Sequence, residues 1–139
     1  MPRGLYLLLL RHAVQGDMVM ACPPPAAACL AVARHYTPPN GPCACRSAVL
    51  LKYVAGVSGD RITIHQDGVR VNGLLLPNSV RSTRDARGRP VTGFTGNFVL
   101  APHQLWLTGL DARSWDSRYF GPIPAGSIRG VVHPLWVWR

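Results

Sequence analysis

The sequence is poor in lysine and in acidic residues. Of its 15 basic residues only Lys52 is a lysine, and with 6 acidic residues the formal net charge is +9. The arginines are spread from Arg3 to Arg139 without a dense basic run, which disfavours a dedicated nucleic-acid-binding surface. An evenly basic surface suits anionic lipid headgroups about as well as phosphates.

Long apolar segments are also missing. The run "LYLLLL" at residues 5–10 is far shorter than the ~20 residues that a membrane-spanning helix needs. It is too short for a signal peptide as well, and no small-residue cleavage site follows it. We therefore expect neither a membrane anchor nor an export signal within this chain.

The four cysteines lack the spacing of a common zinc site, since they form only C-x6-C and C-x-C pairs. An even number in a proline-rich, loop-like region favours one or two disulfides, which belong to an oxidising compartment. That interpretation conflicts with the missing export signal. Free buried thiols are the second alternative, and a metal site is the least favoured. The candidate disulfide residues are Cys22, Cys29, Cys43 and Cys45.

Composition predicts a mainly β fold. A chain of 139 residues with 47% hydrophobic residues, 13 prolines and 14 glycines fits one domain of short strands joined by turns. The best helix candidate is "AAACLAVARHY", ended by "TPPNGP". We predict a single domain, residues 1–139, of antiparallel sheets with one short helix and a polar, exposed excursion at residues 77–97.

Lys52 lies inside the apolar stretch "AVLLKYVAGV", which is predicted to be a strand. Arginine stays charged in proteins, whereas a desolvated lysine can lose its proton near neutral pH. A neutral amine held in this way is a general base that can take a proton from a serine hydroxyl. The alternative is a lysine whose stem packs on the strand while its ammonium reaches water.

The segments around Lys52 resemble the type I signal peptidases. These have a base lysine followed by a Gly-x-x-Gly-Asp turn, then a hairpin, and later an Asp-Ser-Arg motif with an aromatic, a glycine and a proline. More specifically, the chain is similar to conjugative transfer signal peptidases of the TraF type. The matching blocks, in order, are "MPRGLY", "GDMV", "LLKYVAGVSGDRI", "DGVRVNG" and "GLDARSWDSRYFGPIP".

The resemblance implies a signal-peptidase-like catalytic fold of antiparallel β-strands and a Ser–Lys dyad, without metal or cofactor. It assigns Lys52 as the general base and Ser114 as the hydroxyl that orients its amine; an ordinary loop serine is the alternative for Ser114. The remaining assignments are structural: Asp116 and Arg118 brace the site through a charge-assisted pair, and Gly59 and Asp60 form the turn after the lysine strand.

The nucleophile is the missing component. The resemblance places it two residues before Pro2, immediately before Met1, and none of the seven serines has that context. We expect either that the start of the chain has been placed too late or that the chain is a truncated remnant, and we favour the misplaced start. In both cases the chain as given should not hydrolyse peptides by the Ser–Lys route.

The leading hypothesis is therefore a serine endopeptidase that processes exported precursors, such as a conjugative pilin subunit, with small residues before the cut. Its full-length form would work at the membrane surface, on the periplasmic face of the inner membrane, and no nucleic acid is expected as a partner. The rival hypothesis is a non-catalytic β domain that binds a peptide or partner protein. A basic nucleic-acid-binding accessory protein is less favoured.

Overall fold

A computed structural model describes residues 3–138. Within this range the chain forms mostly short strands, as the turn-rich composition predicts. Two short α-helices and two 3-10 turns, Ala44–Arg46 and Ala125–Ser127, join them. The helices are α1 (Pro25–Ala33) and α2 (Ser117–Phe120); the strands are β1 (Gly4–Leu9), β2 (Met18–Ala21), β3 (Leu50–Gly56), β4 (Arg61–His65), β5 (Gly68–Val71), β6 (Leu74–Leu75), β7 (Asn97–Val99), β8 (Gln104–Thr108), β9 (Ile123–Pro124) and β10 (Ile128–Val137).

The strands form two antiparallel sheets. The larger has the order β1-β10-β2-β3-β8-β9, and the smaller has the order β6-β5-β4-β7. The smaller sheet contains the predicted meander, since β4 pairs with β5 and β5 with β6. The mainly β, antiparallel fold class with a short helix is confirmed, and α2 adds a single further turn of helix.

Strand β8 separates two hydrophobic clusters because its side chains alternate between the two faces of the sheet. Leu105 and Leu107 belong to one cluster, together with Val54 of β3. Trp106 points to the other face, where it packs in a second cluster with Ile62 of the smaller sheet. The large sheet is thus buried on both faces near β3, which fixes the strand that carries Lys52.

Helix α1 begins with a proline at its first turn, where the missing amide hydrogen costs no hydrogen bond. It ends at Ala33, three residues earlier than the Ala-rich stretch predicts, and His35 beyond it has a φ of 58°. Two disulfides, Cys22–Cys43 and Cys29–Cys45, join this helix region to the 3-10 turn at Ala44–Arg46. All four cysteines are paired.

Residues 77–96 form the polar segment that the sequence predicts as an excursion. Most of its side chains are exposed, and an isolated bridge joins Arg84 to Pro90. The segment is nevertheless anchored, because the buried Ser79 accepts a hydrogen bond from the Val69 amide. Its last predicted residue already belongs to β7. In residues 3–138 no helix is both long and apolar enough to cross a membrane.

Candidate active site

Lys52 lies in the part of strand β3 that has a paired neighbour on one edge only. That neighbour is β2, in which Val19 is opposite Lys52 in the register. Strand β8 ends at Thr108, which faces Tyr53, so this neighbour stops one residue short of Lys52. The half-buried lysine amine therefore reaches past the end of β8 toward the 109–114 loop.

The Lys52 amine meets Ser114 there. Nζ donates to Ser114 Oγ at 2.5 Å, across 62 residues of sequence. Burial lowers the pKa of Lys52 below its ordinary 10.5, and the nearby Arg118 guanidinium lowers it further, while Asp116 and Asp111 partly offset both effects. The structure thus brings together the predicted base and the hydroxyl assigned to orient it.

Gly109 makes this contact sterically possible. A Cβ at residue 109 would collide with the side chain of Ser114 and would lie 3.4 Å from Lys52 Nζ. The loop after Gly109 is closed by a hydrogen bond from the Ser114 amide to the Asp111 carbonyl, 3.0 Å long. In the sequence Gly109 stands out only as the first residue of the motif "GLDARSWDSRYFGPIP", and its local signal is a glycine directly after a strand.

Asp116 and Arg118 form a buried ion pair beneath the loop. Asp116 Oδ1 lies 2.8 Å from Arg118 Nε, and the two residues are 0% and 1% exposed. The other carboxylate oxygen accepts the amide of Gly109 at 2.8 Å. Burial of a charged pair is tolerated when further hydrogen bonds satisfy both groups, and here they do.

The Arg118 guanidinium distributes its remaining donors over backbone carbonyls. It donates to Ser114 at 2.8 Å and to Ala112 at 3.1 Å, both in the loop that holds the lysine contact. It also donates to Asn78 at 2.7 Å, in the segment before residues 82–91. Asp116 and Arg118 thus connect α2, the Ser114 loop and the 77–96 segment, which is a bracing arrangement.

Ser117, between Asp116 and Arg118, lies fully buried at the start of α2. Its hydroxyl accepts the backbone amide of Leu107 at 2.9 Å and so fixes α2 against β8. Gly59 and Asp60 lie in the turn between β3 and β4, away from the Lys52–Ser114 contact. Gly59 has a φ of 87° and Asp60 accepts the Val57 amide, so both shape a turn.

A groove of about 520 Å³ opens beside Lys52. Leu50 and Lys52 of β3 line it, together with residues of the segment from 112 to 119. Tyr36 and residues of the segment from 82 to 91 complete the lining. Among residues 3–138 no group of three or more metal-ligating side chains is arranged to hold a metal ion.

The expected nucleophile position precedes Met1 and lies outside the described residues. The pairing registers place Leu9, Val131, Val19 and Lys52 side by side across the sheet. In a flat sheet, a strand spacing of ~4.8 Å and a rise of ~3.3 Å per residue would separate Arg3 from Lys52 by on the order of 20 Å.

Residues 4–138 match the family model of signal peptidase, peptidase S26, and the chain belongs to this family. The resemblance drawn from the motifs is confirmed.

The relatives that match are named for conjugal or plasmid transfer. The chain is 36% identical to the conjugal transfer protein TraF of Agrobacterium tumefaciens (strain 15955), over 99% of this chain and 78% of that one. It is 32% identical to the plasmid transfer protein TraF of Escherichia coli with the same coverages. A signal peptidase I from Enterococcus faecalis V583 superposes with a TM-score of 0.44 at 18% identity, over 86% of this chain and 96% of that one.

Proposed function

We propose that this chain is the lysine-bearing domain of a serine endopeptidase that processes exported precursors during conjugal transfer. The observation that carries the proposal is the half-buried Lys52 amine, 2.5 Å from Ser114 Oγ, with its pKa lowered chiefly by burial. A neutral amine in this position has a lone pair available for a serine hydroxyl proton.

In the proposed reaction Lys52 Nζ takes the proton from the serine nucleophile as its oxygen attacks the scissile carbonyl. The protonated amine then gives that proton to the leaving amine, and an acyl-enzyme forms. Water, deprotonated by the same amine, resolves the ester. Ser114 holds the amine in one orientation, and the buried Asp116–Arg118 pair holds the Ser114 loop.

The serine would have to reach Lys52 from the start of the chain. A three-residue segment before Arg3 spans at most ~10 Å, which is less than the distance estimated from the strand registers. The proposal therefore requires the first residues of β1 to leave their pairing with β10. The bulge between Leu5 and Tyr6 already interrupts that pairing.

The proposed substrate is a precursor such as a pilin subunit, with small residues before the cut. The names of the relatives support a role in conjugal transfer. The proposed place of action is a membrane surface on the periplasmic face of the inner membrane. It is supported by the two disulfides and by an apolar ribbon, which we define as residues 4–10 with residues 133–138. Its exposed large hydrophobic residues are Leu5, Leu7, Leu8, Leu10, Leu135, Trp136, Val137 and Trp138.

The decisive experiment extends the chain with a serine placed immediately before Met1. We expect this chain to cleave a peptide that carries alanines before the scissile bond, and the same chain with Lys52→Arg to lose about 100-fold or more of that activity. Lys52→Arg is the informative variant because it keeps the charge and removes the titration. Equal cleavage by the two chains would remove the lysine from the mechanism.

Amide hydrogen exchange on the same two chains tests the requirement on β1. We expect Tyr6 and its neighbours in β1 to lose protection when the serine-extended chain is acylated by a peptide ester. Full retention of β1 protection in an acylated chain would contradict the proposed opening. Acylation that is absent with Lys52 intact would leave the domain as a peptide-binding module.

A further inference from the structure

One end of the Lys52 groove takes no part in the proposed proton transfer. There the Tyr36 ring lies 5.5 Å from the Trp115 ring, at an angle of 57°. Trp115 packs in turn against Phe120, with ring centroids 5.1 Å apart. An aromatic pair at this separation is attractive beyond its buried area, so these two side chains form a defined boundary to the space beside Lys52.

The position of Tyr36 is fixed by Asp85. The Tyr36 hydroxyl donates to Asp85 Oδ2 at 2.8 Å, and Asp85 also accepts from Arg89 Nε at 2.7 Å. The backbone amides of Arg87 and Arg89 donate to its other oxygen at 3.0 and 2.9 Å. The Asp85 side chain is only 6% exposed, so a carboxylate with several partners holds the tyrosine ring in one place.

Residues 82–91, some of which line the groove, form a strap that is anchored at both ends. At one end the Ser82 amide donates to the Tyr119 hydroxyl at 2.9 Å. At the other, Arg34 donates to the Pro90 carbonyl at 2.7 Å and Arg89 donates to the Arg34 carbonyl at 3.1 Å. Arg34 follows α1, which the Cys29–Cys45 disulfide secures. The strap therefore joins two held parts of the molecule.

We propose that Tyr36 and Trp115 form a specificity-determining subsite that limits the size of the side chain a substrate places beside Lys52, with Asp85 as its positioning residue. The inference rests on the proposed peptidase function and deepens it. We expect an apolar side chain there, because the two aromatic rings supply apolar surface and the Asp85 carboxylate is already occupied by Tyr36 and Arg89.

Lys52 provides the readout because it is the only lysine in the chain. An N-hydroxysuccinimide ester transfers its acyl group to Nζ, breaking the acyl–oxygen bond and forming an amide. The probes are the esters of acetic acid and of 2-naphthylacetic acid, used on the chain as it stands. The measurement is the ratio of naphthylacetyl to acetyl transfer at Lys52, by mass spectrometry of the peptide that contains it.

We expect Tyr36→Ala and Asp85→Asn each to raise this ratio about fivefold or more, because the bulky group is no longer excluded. Tyr36→Phe keeps the ring but loses the hydroxyl contact, so its ratio should rise by less. The matched control is Asp67→Asn, which removes a carboxylate paired with Arg70 at 2.7 Å, away from the groove. Its ratio should not change.

An unchanged ratio in Tyr36→Phe and Asp85→Asn, with intact disulfides and unaltered circular dichroism, would overturn the subsite even if Tyr36→Ala fails to fold. The pH dependence of acetyl transfer separates this outcome from a failure of the proposed function. An ordinary lysine pKa together with a size-dependent ratio would overturn the general base and retain the size limit. A depressed pKa with no size dependence would do the reverse.

Discussion

At Lys52 the demands of stability and of chemistry oppose each other. Stability favours an apolar or neutral side chain in this half-buried place, whereas the proposed reaction needs an amine. Because the pKa of Lys52 is lowered in the folded chain, the unfolded chain binds more protons in the interval between the folded pKa and 10.5. Unfolding free energy therefore rises with pH across that interval, and the cost of the charged amine is complete below it.

Lys52→Met should expose this cost. The variant cannot bind a proton at this position, so its stability relative to the natural chain should be highest below the folded pKa of Lys52 and should decline as the pH rises toward 10.5. Denaturant unfolding of both chains across that range measures the difference, and other titrating groups cancel. A difference that is flat with pH would show that Lys52 has an ordinary pKa.

Gly109→Ala tests the space that the Lys52–Ser114 contact requires. The added methyl would collide with the Ser114 side chain, so we expect a loss of roughly 1–3 kcal/mol in unfolding free energy. The pH profile of Lys52 acetylation should shift as well, since Ser114 must move. Gly126→Ala is the matched control, because nothing lies within 4 Å of a Cβ there. Equal effects of both substitutions would contradict a steric role for Gly109.

At the scale of elements, the sequence was most informative where periodicity and turn residues acted together. The alternation in "RITIHQDGVRVNG" predicts β4 and β5 correctly, and the glycine of the β3–β4 turn has the φ of 87° that its motif implies. Helix α2 escaped prediction because it is a single turn, held by the Asp116 cap and the Ser117 contact with Leu107. Such contacts leave no periodic signal.

The candidate site also has a part that the sequence predicts and a part that it does not. The family motifs made it possible to predict Lys52 and Ser114 as partners, and the structure places their side chains in contact. The Tyr36–Asp85 contact was beyond reach because its partners are 49 residues apart and belong to no motif. Long-range contacts between loops depend on the packed fold, so local sequence cannot reveal them.

The helix α1 region offers a prediction about the disulfides. Replacing Cys29 and Cys45 by serine opens a loop with a sequence separation of 16 residues and should lower the unfolding free energy by roughly 3 kcal/mol. Trypsin should then cut faster after Arg46, which lies in the 3-10 turn that the disulfide secures. Unchanged cleavage there, with unfolding free energy also unchanged, would show that the rest of the fold holds this turn alone.

At the scale of the whole molecule, the apolar ribbon and the net charge of +9 both favour binding to an anionic membrane surface. Beyond Val132, strand β10 pairs only with β1, and leucine and tryptophan side chains of the ribbon are exposed; Trp136 is 68% exposed. A two-stranded ribbon is marginally stable alone in water, and an exposed apolar patch on a protein of positive net charge favours binding to an anionic membrane.

Leu135→Asp tests membrane binding by the ribbon. We expect it to weaken partitioning onto vesicles of mixed anionic and neutral phospholipid by about tenfold, since one leucine loses its burial and gains a charge. The matched control is Leu74→Asp on β6, a leucine that is 76% exposed but lies outside the ribbon. Co-sedimentation with vesicles measures the binding of both variants.

Raising the salt concentration should weaken the natural chain's binding to the vesicles without abolishing it, because screening removes the electrostatic part of the affinity and leaves the apolar part. Binding that survives Leu135→Asp but disappears in high salt would assign the affinity to the arginines and not to the ribbon.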